Sequence, residues 1–150
     1  MITHTAQAKN AIKWIDSLKG GKKGFKKGIE ALGTVTYGEP IGSVKDGHPQ
    51  KYCCLGVACR TLNIKPDSWR NEYEPSLVNK LGLHSYEGTF MDPQTNVKVV
   101  RKGMDKIVDM NDELFGDDET FTNVRAFILK HLDVIFVPPV AEMVKKHYGK

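Results

Sequence analysis

The chain has 150 residues, 40% of them hydrophobic and 27% charged, with a net charge of +4 at pH 7. A domain of this length buries roughly 68–70% of the surface that its unfolded chain exposes, which argues against disorder, collagen-like repeats and a disulfide-dense miniprotein. No apolar run approaches the roughly 20 residues of a membrane span, the N-terminus resembles no secretion signal, and three cysteines form no disulfide framework. We expect a reduced, cytoplasmic protein without a membrane partner.

The charge is distributed unevenly along the chain. Residues 1–30 carry seven lysines and two acids, whereas residues 105–119 carry seven acids and one lysine. Such polarity steers a charged partner towards one surface. It is equally typical of two segments that face each other in the fold, and the sequence leaves both interpretations open.

The N-terminal half predicts three helices around a loop-rich stretch. The first has Thr5 as its N-cap and ends at Gly20-Gly21, and Trp14 lies off the centre of its apolar stripe. Residues 29–37 suit a helix or a strand, and 41–44 suit a strand between turn signals. Two further helices are predicted over 52–62 and over 76–81, the latter ended by Gly82.

The C-terminal half predicts a hairpin, three helices and a short strand. The hairpin pairs 86–91 with 97–100, and an apolar pattern from Met104 onwards predicts a helix that ends near Asn111. A stronger amphipathic helix opens at Glu119-Thr120. The remaining predicted elements are a strand over 134–137 and a helix over about 138–148. Together these elements predict one α+β domain over 1–150, with several short helices and a small antiparallel sheet or hairpins.

Several segments carry a family resemblance. Residues 52–59 read Tyr-Cys-Cys-Leu-Gly-Val-Ala-Cys, and the Trp14 helix runs into the Gly/Lys/aromatic stretch 21–28. A Pro-x-x-Val-x-x-x-Gly-Leu pattern spans 75–83, and Met110-Asn111-Asp112 precedes Thr120-Phe121. Over about residues 10–136 the chain resembles a family of small proteins encoded mainly by tailed bacteriophages. It departs from the family in a longer stretch over 33–50 and in Met110, where leucine is usual.

The resemblance implies a phage origin and a setting in the host cytoplasm. The family has no settled biochemical activity. Small phage accessory proteins often modify host processes or blunt host defence, which is an argument by analogy.

Cys53 is the candidate nucleophile. A cysteine at a helix start has a lowered pKa because the helix dipole favours the thiolate. His48, His84 or His131 could act as its base, and Asn111 or Asp112 could orient that base. Against this, adjacent helical side chains point about 100° apart and free cysteine is among the most buried residue types. We therefore favour a structural role for Cys53, and the cysteine and histidine spacing predicts no zinc site.

The segment 19–28 is the candidate anion site. It contains five lysines, four glycines and no acid. Glycines let backbone N–H groups approach phosphates, lysines supply charge, and Phe25 could stack on a base. The segment lacks the P-loop pattern, and a solvated loop is the alternative. The candidate contacts are Lys22, Lys23, Phe25, Lys26 and Lys27.

The acidic segment 109–120 fails the pattern of an EF-hand calcium loop. Position 6 of such a loop is Leu114 instead of glycine, and position 12 is Thr120 instead of glutamate. Asn111 and Asp112 are more typical of a turn whose side chains satisfy backbone donors and cap the next helix. Contact with a polar ligand is the alternative.

These observations favour a non-enzymatic, phage-encoded accessory protein. It would bind a host protein or a nucleotide-like anionic small molecule and so interfere with host defence or metabolism. No complete set of nucleophile, base and orienting residue is recognisable, and no cofactor or metal is predicted. The alternatives are a small hydrolase or transferase that uses Cys53 with His48, and a nucleic-acid-binding module, which the charge of +4 disfavours.

Overall fold

The computed structural model describes residues 2–19, 24–28, 32–34, 49, 51–71, 73–84, 107 and 110–150. Its helices are α1 (His4–Ser17), α2 (Cys54–Thr61), α3 (Ser76–Leu81), α4 (Thr122–Lys130), α5 (Leu132–Ile135) and α6 (Pro138–His147). A π-helical turn spans Met110–Leu114, and two short strands are β1 (Gly33–Thr34) and β2 (Lys51–Tyr52). The predicted strand over 41–44 and the predicted hairpin over 86–100 lie outside the described residues.

The predicted α+β class is wrong, because the fold is mostly helical. Among the described residues, β structure is limited to the antiparallel pair of β1 and β2 and to isolated bridges. The predicted strand over 134–137 is wrong in its first half, because Val134 and Ile135 end α5 and their N–H groups donate to the carbonyl of His131. Phe136 is extended and forms an isolated antiparallel bridge with Leu83. A run of four apolar residues sets no period of its own.

Helix α1 begins two residues earlier than its sequence pattern predicts. Thr3 is the N-cap, and its Oγ1 accepts from the N–H of Ala6 at 3.1 Å. Trp14 is fully buried although it lies off the centre of the apolar stripe. The reason is its indole N–H, which donates to the Cys54 carbonyl at 2.8 Å and so turns the ring towards α2.

Helix α1 packs against α2, α3 and α6 and so lies at the centre of the core. Its side chains also complete the end of α3, since Gln7 and Asn10 donate to the carbonyls of Asn79 and Lys80. Helix α3 has the predicted bounds, and Gly82 ends it in the left-handed conformation, at φ 69°. These contacts satisfy terminal carbonyls that the short helix α3 leaves without an internal partner.

Helix α2 lies inside the predicted range 52–62 and passes very close to the segment before β1. A Cβ on Gly56 would meet the carbonyl oxygen of Leu32, so only glycine fits there. The amide N–H of Cys53 donates to the same carbonyl at 3.3 Å. The glycine of the Cys-Cys-Leu-Gly-Val segment is thus required by a close approach of backbone to backbone.

The C-terminal helices contribute to the same core. Val124 and Ile128 of α4 are buried, and α6 begins at the predicted Pro138. Met143 of α6 is 39% exposed. The Tyr148 hydroxyl donates to Asp16 Oδ1 at 2.7 Å, which joins the end of α6 to α1.

Candidate functional site

Three of the segments singled out in the sequence meet at Asn111. This residue lies on the π-helical turn and is fully buried. Its Oδ1 accepts from the N–H of Cys54 at 3.2 Å, and its Nδ2 donates to the Gly28 carbonyl at 3.1 Å and to Asp112 Oδ1 at 2.8 Å. The side chain therefore joins the basic segment, the start of α2 and the π-helical turn.

The sequence context predicts that Asn111 caps the helix that follows it, but its side chain does not cap α4. The sequence also predicts a helix that ends near Asn111, but helical backbone extends to Leu114 as the π-helical turn. The Asn111 side chain instead completes the cap of α2. Cys53 Sγ accepts from the N–H of Gly56 at 3.4 Å, and Asn111 Oδ1 accepts from the N–H of Cys54. Two of the free donors at the start of α2 are satisfied in this way.

Lys27 points into the protein and is only 6% exposed. Its ammonium donates to the backbone carbonyl of Asn111 at 3.0 Å. Burial lowers the pKa of Lys27, because desolvation disfavours the charged form, while Asp112 and Asp118 act in the opposite direction. At Lys27 the basic segment faces the acidic segment. Part of the uneven charge distribution along the sequence therefore reflects two segments that meet in the fold.

The residues around Lys27 form what we call the anchored basic segment, residues 24–28. The N–H of Tyr52 donates to the Lys26 carbonyl at 2.8 Å, and the N–H of Gly28 donates to the Tyr52 carbonyl at 2.7 Å. The half-buried Phe25 ring lies edge-on to the Tyr52 ring, with centroids 5.5 Å apart. Lys26 is exposed. Lys22 and Lys23 lie outside the described residues.

The three cysteines are buried, and Cys53 is only 2% exposed. Burial raises the pKa of the Cys53 and Cys59 thiols to about 12 and that of Cys54 well above its ordinary value. The backbone N–H of Gly56 lowers the Cys53 pKa, as a helix N-terminus should, but desolvation has the larger effect. The lowered pKa expected for Cys53 is therefore wrong, and its thiol is a poor nucleophile at neutral pH.

Two of the histidines considered as bases for Cys53, His84 and His131, are described by the structure. The backbone N–H of His84 donates to the Ile135 carbonyl at 3.2 Å, which places His84 beside α5. The His131 ring lies against the Phe127 ring, with centroids 4.4 Å apart. His48 lies outside the described residues. The described residues therefore supply no support for a catalytic Cys53.

Lys51 is a surface cation that the sequence analysis missed. It is exposed on β2, next to the buried Tyr52, with which Lys27 forms a parallel bridge. The only local signal is the alternation of an exposed and a buried residue over two positions. Such a short pattern becomes informative only when the strand's partners are known.

Two further properties concern the described part of the chain alone. It contains no group of three or more histidine, cysteine or acidic side chains arranged to hold a metal ion. None of its helices has the length and apolar character needed to cross a membrane.

Comparison with known proteins identifies no relative: no protein-family model, curated protein or solved structure matches the chain.

Proposed function

We propose that this chain is a phage-encoded accessory protein that binds a nucleotide-like anionic small molecule through its basic segment. By holding such a molecule it would interfere with host defence or metabolism. The phage origin rests on the resemblance carried by residues 52–59 and the motifs around them. The binding role rests on the geometry of the anchored basic segment.

One observation carries the binding role: the backbone of the anchored basic segment is fixed while Lys26 remains exposed. Two backbone hydrogen bonds hold residues 26–28 to Tyr52, and Asn111 holds the carbonyl of Gly28. A cation on a fixed backbone loses less conformational freedom on binding than one on a flexible loop. The segment therefore presents charge to an anion at a reduced entropic cost.

The residues of the segment have different roles in this proposal. Lys26 contacts the ligand, and we extend the same role to Lys22 and Lys23 from the sequence. Lys27 is buried and bonded to Asn111, so it fixes the segment instead of contacting the ligand. Asn111 likewise positions the segment, because each polar atom of its amide already has a protein partner.

Native mass spectrometry of protein purified gently from bacterial cells tests the class of ligand. We expect a small anionic molecule to be retained and to be released as the salt concentration rises, because phosphate contacts weaken in salt. A retained host protein, without a small molecule, would replace the proposed ligand by a protein partner.

A pair of charge-matched variants tests the location of the site. We expect the triple variant Lys22→Ala/Lys23→Ala/Lys26→Ala to lose the retained anion. The control is Lys9→Ala/Lys13→Ala/Lys65→Ala, which removes the same charge from lysines that are exposed elsewhere. Equal loss of the anion in both variants would show attraction by net charge alone and would contradict the proposed site.

A further inference from the structure

One isolated bridge, between Lys27 and Tyr52, sets the register of the anchored basic segment against β2. The bridge between Lys27 and Tyr52 is parallel, and in a parallel pair the residues that precede the bridged ones are also neighbours. Adjacent strands lie about 4.7–4.9 Å apart, and successive side chains point to opposite faces. Lys27 and Tyr52 therefore share the buried face, and Lys26 and Lys51 share the outward face.

Exposure along the two strands agrees with this alternation. Lys27 and Tyr52 are 6% and 4% exposed, whereas Lys26 and Lys51 both belong to the exposed class. We infer that the two exposed lysines lie on the same face of this pair of segments.

The described residues supply no countercharge in contact with this lysine pair. Within the described residues neither ammonium forms an ion pair or a hydrogen bond. Like charges side by side on neighbouring strands repel each other and destabilise the pairing. An anion bound between the two ammonium groups would remove that repulsion.

We propose that Lys26 and Lys51 together hold one phosphate group of the small anionic ligand. This inference rests on the proposed function and adds Lys51 to the site. Each ammonium is a compact charge with three N–H donors on a flexible stem, so the two can donate to different oxygens of a single phosphate. Charge-assisted bonds of this kind are stronger than bonds between neutral groups.

Isothermal titration calorimetry at low salt tests the inference, with inorganic pyrophosphate, ADP and a single-stranded oligothymidylate as probes. We expect the unmodified protein to bind pyrophosphate and ADP. Lys51→Ala and Lys26→Ala should each weaken that binding by about tenfold or more, as expected for the loss of a charge-assisted hydrogen bond. Lys51→Arg should retain most of the affinity, because the charge and the donors remain.

Lys65→Ala is the control, since it removes one exposed lysine away from β2 and should leave the affinity unchanged. The double variant Lys26→Ala/Lys51→Ala should lose less than the two single losses combined, because both residues act on one phosphate. Both lysines are exposed, so we expect the variants to fold, and the midpoint of thermal unfolding checks this.

The outcomes separate this inference from the proposed function. If Lys26→Ala weakens binding and Lys51→Ala behaves like the control, the lysine pair is overturned and the proposed function stands. If the unmodified protein binds neither pyrophosphate nor ADP, both fail. Binding of the oligothymidylate alone would overturn the small-molecule site in favour of a nucleic-acid surface.

Discussion

Replacement of Asn111 by alanine should destabilise the protein strongly, because one buried amide joins three segments of the chain. The substitution leaves the N–H of Cys54 and the carbonyl of Gly28 without the partners they have at 3.2 and 3.1 Å. A buried polar group without a partner costs about 1–3 kcal/mol. The bonds to Gly28 and Asp112 are partly exposed, so each adds less than the buried bond to Cys54. We expect the free energy of unfolding to fall by about 2–5 kcal/mol, a large share of the ~5–15 kcal/mol typical of a domain.

Urea denaturation followed by tryptophan fluorescence measures this loss, with the buried Trp14 as a reporter of the core. Asn123→Ala is the matched control. Its amide donates to Asp118 at 3.0 Å on the exposed surface of the protein. Surface substitutions of this kind change stability by about 0.5 kcal/mol or less. If Asn111→Ala costs no more than Asn123→Ala, the role assigned to Asn111 is refuted.

Three further predictions concern the cysteine helix. At pH 8, a thiol reagent should label the three buried cysteines slowly in the folded protein and rapidly in urea, because burial raises their pKa values; rapid labelling of Cys53 alone would contradict its structural role. Gly56→Ala should lower the free energy of unfolding by about 1–3 kcal/mol or more, because its methyl group would clash with the Leu32 carbonyl despite the better helix propensity of alanine. An unchanged midpoint of urea denaturation would disprove this close approach. Unfolded thiols ionise near pH 8.5, whereas burial raises the pKa of folded Cys59 to about 12. The stability that Cys59 contributes should therefore be lost as pH rises between these values, by up to about 1.4 kcal/mol per pH unit. The free energy of unfolding of Cys59→Ala should fall less steeply between pH 8 and 10.5 than that of the unmodified protein, and equal slopes would argue against the raised pKa.

The helices were largely predictable from the sequence, because the signals that form them are local. The apolar spacing of α1, the glycine that ends α3 and the prolines that open α6 each act within a few residues. The errors lie where a short apolar run carries no clear period, as at 134–137. There the sequence predicts a strand, whereas Val134 and Ile135 form helical hydrogen bonds to His131 and the backbone is extended only from Phe136.

The candidate site was predictable only as separate pieces. The sequence singled out the basic segment, the cysteines and the Asn111-Asp112 pair, but not that Asn111 connects them. It assigned Lys26 and Lys27 the same role, although one is exposed and the other is buried. Their different orientations depend on the bridge between Lys27 and Tyr52, two residues that lie far apart in the sequence.

Local patterns in the sequence are sufficient to locate most of the helices. The tertiary structure decided which residues are exposed, because burial depends on contacts between distant segments. The pKa of Cys53 shows the physical reason: the local effect of a helix N-terminus lowers it, and desolvation by the surrounding core raises it further than the helix can lower it. The register between Lys27 and Tyr52 has the same origin, since pairing of distant segments sets it and no local pattern encodes it.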